Sequence, residues 1–211
     1  MYGWRLQLDP SLDTKAIERG RFEWMQQSAS RGFGEAMFKV SRNLLSMGKM
    51  EEAETLLRGA VKAGESDASY QLLHLILLGV LSPTSNNDEA VAAECLDLLK
   101  HAASTGSSPY GGTVFAMYNL GIAYLYGFLG LTYNPQLAID WFKASRLPEG
   151  YMMLSVYYNS TGHKEEGLKW QERALLMGFG SEERVKQRDK GGFGLHNIWP
   201  GVSNDKGPPR W

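Results

Sequence analysis

The chain has a single cysteine, Cys95, in 211 residues. One thiol excludes an internal disulfide framework and any cysteine-based metal cluster. It sits in AAECLDLL at helical spacing beside Leu98 and Leu99, the setting of a small buried thiol. Histidine is almost as scarce, with four residues at 74, 101, 163 and 196. His163 stands near Glu165 and Glu166, but no HExxH motif or spaced cluster accompanies it, so no metal site and no cofactor are expected. An excess of charge is missing too: 22 Lys and Arg face 23 Asp and Glu, a net charge of -1. That balance supplies no broad attraction for a phosphate backbone, so DNA is not an expected partner. RNA is a secondary alternative, because the aromatic residues are not interleaved with a basic stripe; Arg184, Lys186 and Arg188 are its nearest basic cluster. The longest apolar run, within YQLLHLILLGVL, is too short to span a bilayer, and the start MYGWRLQLDPSLD lacks the apolar core of a secretory signal.

Catalytic signatures are equally absent. Ser28, Ser104 and Ser155 have neither a GxSxG elbow nor an identifiable histidine partner. The GFG triplets at 32–34, 178–180 and 192–194 lack the spacing, strand and lysine of a phosphate loop. The first two read as turns with a phenylalanine plug. Glu51, Glu52, Glu165 and Glu166 fall in first helical turns, where negative charge favours the amino end. No catalytic residue is therefore assigned, and the sequon Asn159-Ser160-Thr161 matters only in a secretory compartment.

What the chain does have is a repeated rhythm. Hydrophobic residues make up 43%, enough for a folded body, and five apolar stretches end in glycine or proline punctuation. Their closing glycines at 32, 64, 106, 150 and 178 are 32, 42, 44 and 28 residues apart, the size of a helix-turn-helix unit with insertions in the middle. Apolar residues at three- and four-residue steps predict first helices over 35–47, 67–80, 113–127 and 149–161, and second helices over 51–63, 88–105, 135–146 and 164–177. Gly48 and Gly162 suit left-handed helix ends, Asn134 a cap before Pro135, and Asn87 or Asp88 a cap for the 88–105 helix. Short connections imply antiparallel neighbours.

At the start, SLDTKAIE reads as a shortened first helix and ERGRFEWMQQSAS as its second. LSPTSNNDEA and TGSSPYGGTVF are irregular connections, insertions or partner-contact loops, with simple insertion preferred. SEERVKQRDK suits a capping helix over the last pair. After Lys190, GGFGLHNIWPGVSNDKGPPRW suits no regular helix.

The run AMYNLGIAYLYGFLGLTYNPQLAIDWFKAS resembles a Sel1-like repeat, a relative of the tetratricopeptide repeat. The likeness rests on Ala116, Leu120-Gly121, Tyr124, Gly127, Gly130-Leu131, Ala138, Trp141, Lys143 and Ala144. Looser echoes lie at Ala68, Leu78-Gly79 and Ala102-Ala103-Gly106, and at Tyr158, Gly162, Gly167, Trp170 and Ala174. Ala36, Gly48, Ala53, Leu57 and Ala60 read more like the plain tetratricopeptide form. The resemblance covers roughly residues 17–180.

It implies an all-α fold, a right-handed alpha-solenoid of stacked antiparallel helical pairs over 1–190, with an irregular tail at 191–211. It also implies a groove lined by first helices, giving Tyr70, His74, Tyr118, Ile122, Tyr126 and Tyr157 as partner-binding residues, with Lys39 and Asn43 as lesser choices. Any one of these tyrosines is as readily a packing residue. Gly121, Tyr124, Gly127, Ala138 and Trp141 are the structural set, the small residues permitting close approach and Tyr124 and Trp141 filling around them. Phe193, Ile198, Trp199 and Trp211 suggest that the tail docks on a partner or back along the body.

The expected function is a noncatalytic scaffold or structural subunit of a larger protein complex. The alternatives are an enzyme with an unusual inter-repeat site and an RNA-associated repeat protein. Such families occupy many compartments; mitochondrial or cytoplasmic settings are slightly preferred, and peripheral membrane association through a partner is compatible.

Overall fold

The computed structural model describes residues 14–104 and 112–181. These form nine helices and no strand: α1 (Thr14–Ser30), α2 (Gly34–Ser46), α3 (Met50–Lys62), α4 (Ser66–Leu77), α5 (Asp88–Ser104), α6 (Gly112–Tyr126), α7 (Pro135–Ser145), α8 (Pro148–Ser160) and α9 (Lys164–Leu176). The fold is all-α, and the helices pack as hairpins, α2 with α3, α4 with α5, α6 with α7 and α8 with α9. The chain divides into two compact units at Glu65/Ser66.

In the first unit α1 packs on α2 and α2 on α3. Phe38, Leu44, Ala53, Leu57 and Ala60 form its core. The α2–α3 hairpin is tight because glycines stand at the contacts. A Cβ on Gly34 would lie 3.2 Å from that of Ala63, and one on Gly59 would lie 3.1 Å from the sulfur of Met37. The start of α2 therefore meets the end of α3, the antiparallel arrangement that Gly48, at φ 75°, makes possible between them. The expected break between 11–18 and 18–30 does not occur: α1 is one continuous helix from Thr14. Gly20 is the only punctuation there, and a lone glycine costs a helix about 1 kcal/mol, too little to end it without a cap or proline.

The second unit stacks three hairpins in chain order. α4 meets α6 and α6 meets α8, while α5 also packs on α6 and α7 on α8. Leu72, Leu73, Leu99, Leu120, Ile122, Leu125, Phe142, Met153 and Leu154 are fully buried between them. Each such side chain contributes about 1.5–3 kcal/mol by leaving water. Helix α4 ends at Leu77, short of the expected 80, because Gly79 turns left-handed at φ 69° and leaves Leu78 and Val80 exposed. The connection that follows is ordered by Glu94, whose Oε2 accepts from both the amide and hydroxyl of Thr84 at 2.7 Å. Asn87 caps α5, its Oδ1 accepting from the amides of Glu89 and Ala90.

The stretch between α6 and α7 is a built turn. Gly127, Leu129 and Gly130 all have positive φ, the Asn134 amide donates to the Tyr124 carbonyl at 2.9 Å, and Asn134 Oδ1 accepts from the Leu137 amide at 3.1 Å. Pro135 then occupies the first helical turn. The 148–150 punctuation behaves differently from expectation. Arg146, at φ 51°, makes the left-handed break, and Pro148 opens α8. Gly150 lies inside α8, where a Cβ would come within 2.9 Å of the Phe142 carbonyl oxygen. Its small size serves close approach, not a turn. Of the two GFG turns, Gly32 and Gly178 are left-handed as a turn requires, but Phe33 is 62% exposed and plugs nothing. The 182–190 and 191–211 readings, the third GFG and the 105–111 connection lie outside the described residues.

Candidate functional site

The residues expected along an inner face divide by depth. Tyr70, Tyr118 and Ile122 are buried, at 3%, 3% and 0% exposure. Tyr70, on α4, accepts a hydrogen bond from Asn119 Nδ2 of α6 at 3.1 Å and lies 6.3 Å from the Phe115 ring. Asn119 is itself fully buried and donates also to the Phe115 carbonyl, so the pair joins two hairpins through satisfied polar groups. Tyr118 sets its ring 5.8 Å from Phe142 of α7. Burial, chiefly, raises both phenols above their ordinary range, and Glu149 adds to the effect at Tyr118. These three side chains pack helix on helix in the second unit. His74, Tyr126 and Tyr157 are half-buried and retain accessible surface.

Tyr126 and Tyr157 belong to a different feature, an aromatic edge at the turn end of the second unit. Tyr126 stacks on Phe128 with ring centres 5.6 Å apart and planes inclined by 11°. Tyr133, in the same turn, is 46% exposed. Tyr157 and Tyr158 close α8 in an edge-on pair at 5.6 Å, and Tyr158 is likewise edge-on to His163 at 6.2 Å. Partial burial raises the Tyr157 phenol first, with Tyr133 and Tyr158 contributing. The start of α8 meets the end of α7, and α7 packs on both α6 and α8, so the α6–α7 turn and the end of α8 lie at the same end of the unit. Phe128, Tyr133 and Tyr158 were not among the residues expected from sequence as partner contacts. The available signal was their crowding around the turn glycines 127, 130 and 162.

The structural set holds Gly121 in the tightest contact. A Cβ there would come 2.6 Å from two ring carbons of Phe142. Ala138 is fully buried, and a Cβ on Gly127 would lie 3.2 Å from the Leu131 carbonyl oxygen. The ring against Gly121 is that of Phe142; Tyr124 and Trp141 are half-buried. On α9, Trp170 lies at an aromatic crossing: Tyr151 of α8 is 5.3 Å away, Lys143 of α7 and Arg173 approach its face at 5.5 and 5.6 Å, and its indole N–H donates to Glu166. One side chain thus ties α9 to both α7 and α8.

Ser69 of α4 lies 2.8 Å from His101 Nδ1 of α5. Ser69 is fully buried, and the contact satisfies both polar groups across a hairpin. Cys95 is buried, and its thiol is pushed up to about 11, by burial first and Glu94 second. The first-turn glutamates sit as expected, with Glu52 pairing with Lys49 at 3.1 Å and Glu166 with Lys169 at 3.6 Å. Among the described residues no group of three His, Cys, Asp or Glu is placed to hold a metal, and no helix is long and apolar enough to cross a membrane.

The fold defines a class: stacked antiparallel helical hairpins in a generic helical-repeat arrangement. No protein-family model matches the chain, and the search of curated proteins finds no significant relative.

Proposed function

We propose that this chain is a noncatalytic scaffold of the Sel1-like kind that holds a protein partner, as part of a larger complex, against the aromatic edge of its second unit. The observation carrying the reading is that edge: Tyr126, Phe128, Tyr133, Tyr157 and Tyr158 stand partly or largely open at the ends of packed helices. Rigid aromatic side chains with a polar tip give large contact area at little entropic cost, and their positions are fixed before binding. The Leu120-Gly121, Ala138 and Trp141 pattern supports the family assignment. The near-neutral net charge fits a protein partner better than a nucleic acid.

Native purification from the source cell followed by crosslinking mass spectrometry tests the reading. Crosslinks from a co-purifying protein are expected at Lys164 and Lys169, which follow the edge on α9. The double substitution Tyr133→Ala and Tyr157→Ala is expected to weaken that association by about tenfold or more while leaving the helical signal unchanged. A partner retained at full strength by that variant, or a stoichiometric small molecule turned over by the purified chain, would defeat the proposal.

A further inference from the structure

Helices α7 and α9 occupy the same register in successive hairpins. Ala138 and Gly167 are buried, Trp141 and Trp170 half-buried, and Ser145 and Ala174 buried again. One row departs from this match. Ile139 and Phe142 of α7 are buried, but their counterparts Leu168 and Gln171 are exposed. The reason is neighbourhood: α7 lies against both α6 and α8, whereas α9 packs chiefly on α8. Leu168, Leu175 and Leu176 are left 61%, 55% and 82% exposed. With Gln171 and Glu172 they line a shallow depression of about 480 Å³. Residues seven and eight positions apart share one side of a helix, so Leu168 and the Leu175–Leu176 pair form one exposed apolar face with Gln171 and Glu172 between them.

The chain supplies a candidate cover at short range. Thirty residues, 182–211, follow Ser181, which itself stands five positions beyond the end of α9. The first part, EERVKQRDK, carries one apolar residue, Val185, whereas GGFGLHNIWP carries Phe193, Leu195, Ile198 and Trp199. The face from Leu168 to Leu176 is about 12 Å long. An extended span from Ser181 to Phe193 reaches up to about 40 Å, ample to return along it. Tethering so close gives the segment a large advantage in local concentration over a second copy or a separate partner.

We infer that residues 193–199 dock on the outer face of α9, with Phe193, Leu195, Ile198 and Trp199 covering Leu168, Leu175 and Leu176. The inference is independent of the aromatic edge, which lies at other residues. It turns the tail from a partner hook into a cover for α9.

A full-length chain carrying Leu175→Cys and Ile198→Cys, treated with a short bis-maleimide, tests it, since native Cys95 is buried. The expected product is a 175–198 link within one chain, lost when Leu168→Glu and Leu176→Glu are added at unchanged helicity. A link between two chains, no 175–198 link, or a link that survives the two glutamates would overturn the proposal. A second measurement avoids the cysteines: in the full chain, Phe193→Ala with Trp199→Ala is expected to speed amide hydrogen exchange over 168–176. Unchanged exchange there would equally overturn it.

Discussion

Gly121 turns one missing carbon into a packing rule. The Phe142 ring occupies the space a Cβ would need, at 2.6 Å, and the same residue's carbonyl oxygen closes on Gly150 of the next hairpin. Gly121→Ala is therefore expected to destabilise the second unit by about 1–3 kcal/mol, and Gly121→Leu by more. Phe142→Leu in the Gly121→Ala background should recover part of the loss, a coupling that denaturant midpoints in a double-mutant cycle would measure. Tyr70 and Tyr118 make a second residue-scale prediction. Both phenols are held above their ordinary value by burial. In the unfolded chain they ionise near pH ~10. Their stabilising contribution is thus complete below about pH 10 and falls above it, by about 1.4 kcal/mol per pH unit for each phenol while the folded form stays neutral. Thermal melts above pH ~10 should show this slope, and Tyr70→Phe with Tyr118→Phe should flatten it. At neutral pH Tyr70→Phe should cost about 1 kcal/mol through the lost bond from Asn119.

At the scale of elements, α7 depends on how it starts. Asn134 accepts the Leu137 amide, Pro135 pre-sets the first turn, and the Asn134 amide returns to the Tyr124 carbonyl. Asn134→Ala is expected to cost about 1 kcal/mol, seen as faster hydrogen exchange in the first turn of α7 with little change at its end. The eight helices from α2 to α9 were legible because their apolar residues recur at helical period and their ends carry glycine, proline or asparagine with a steric reason to be there. What was not legible follows from the same physics. Trp141 and Phe142 are adjacent in sequence, and one position turns a side chain about 100° round a helix, so spacing alone did not say which ring meets Gly121. Tyrosine suits a core and a groove equally well, so residue type could not separate buried Tyr70 and Tyr118 from accessible Tyr126 and Tyr157. Gly150 reads as punctuation but lies inside α8, because a neighbour's backbone comes too close there for any side chain.

On the scale of the whole molecule, each unit has its own core, Phe38 and Leu57 in the first, Leu99, Leu120 and Phe142 in the second. In stacked hairpins, a defect is felt mainly by the elements that touch it. Hydrogen exchange on Gly121→Ala should therefore rise in α6, α7 and α8 and leave α2 and α3 close to the parent. Equal acceleration in both units would show instead that they open together. The aromatic edge belongs to this scale as well, since it is assembled from the turn of one hairpin and the last residues of the next helix, and no single helix contains it.

The lone thiol offers an unplanned use of the architecture. Cys95 is 1% exposed within the α4–α5 hairpin, and its raised ionisation leaves little thiolate at neutral pH. Its colour reaction with an aromatic disulfide in unmutated protein would thus clock how often that hairpin gapes, without any label being installed.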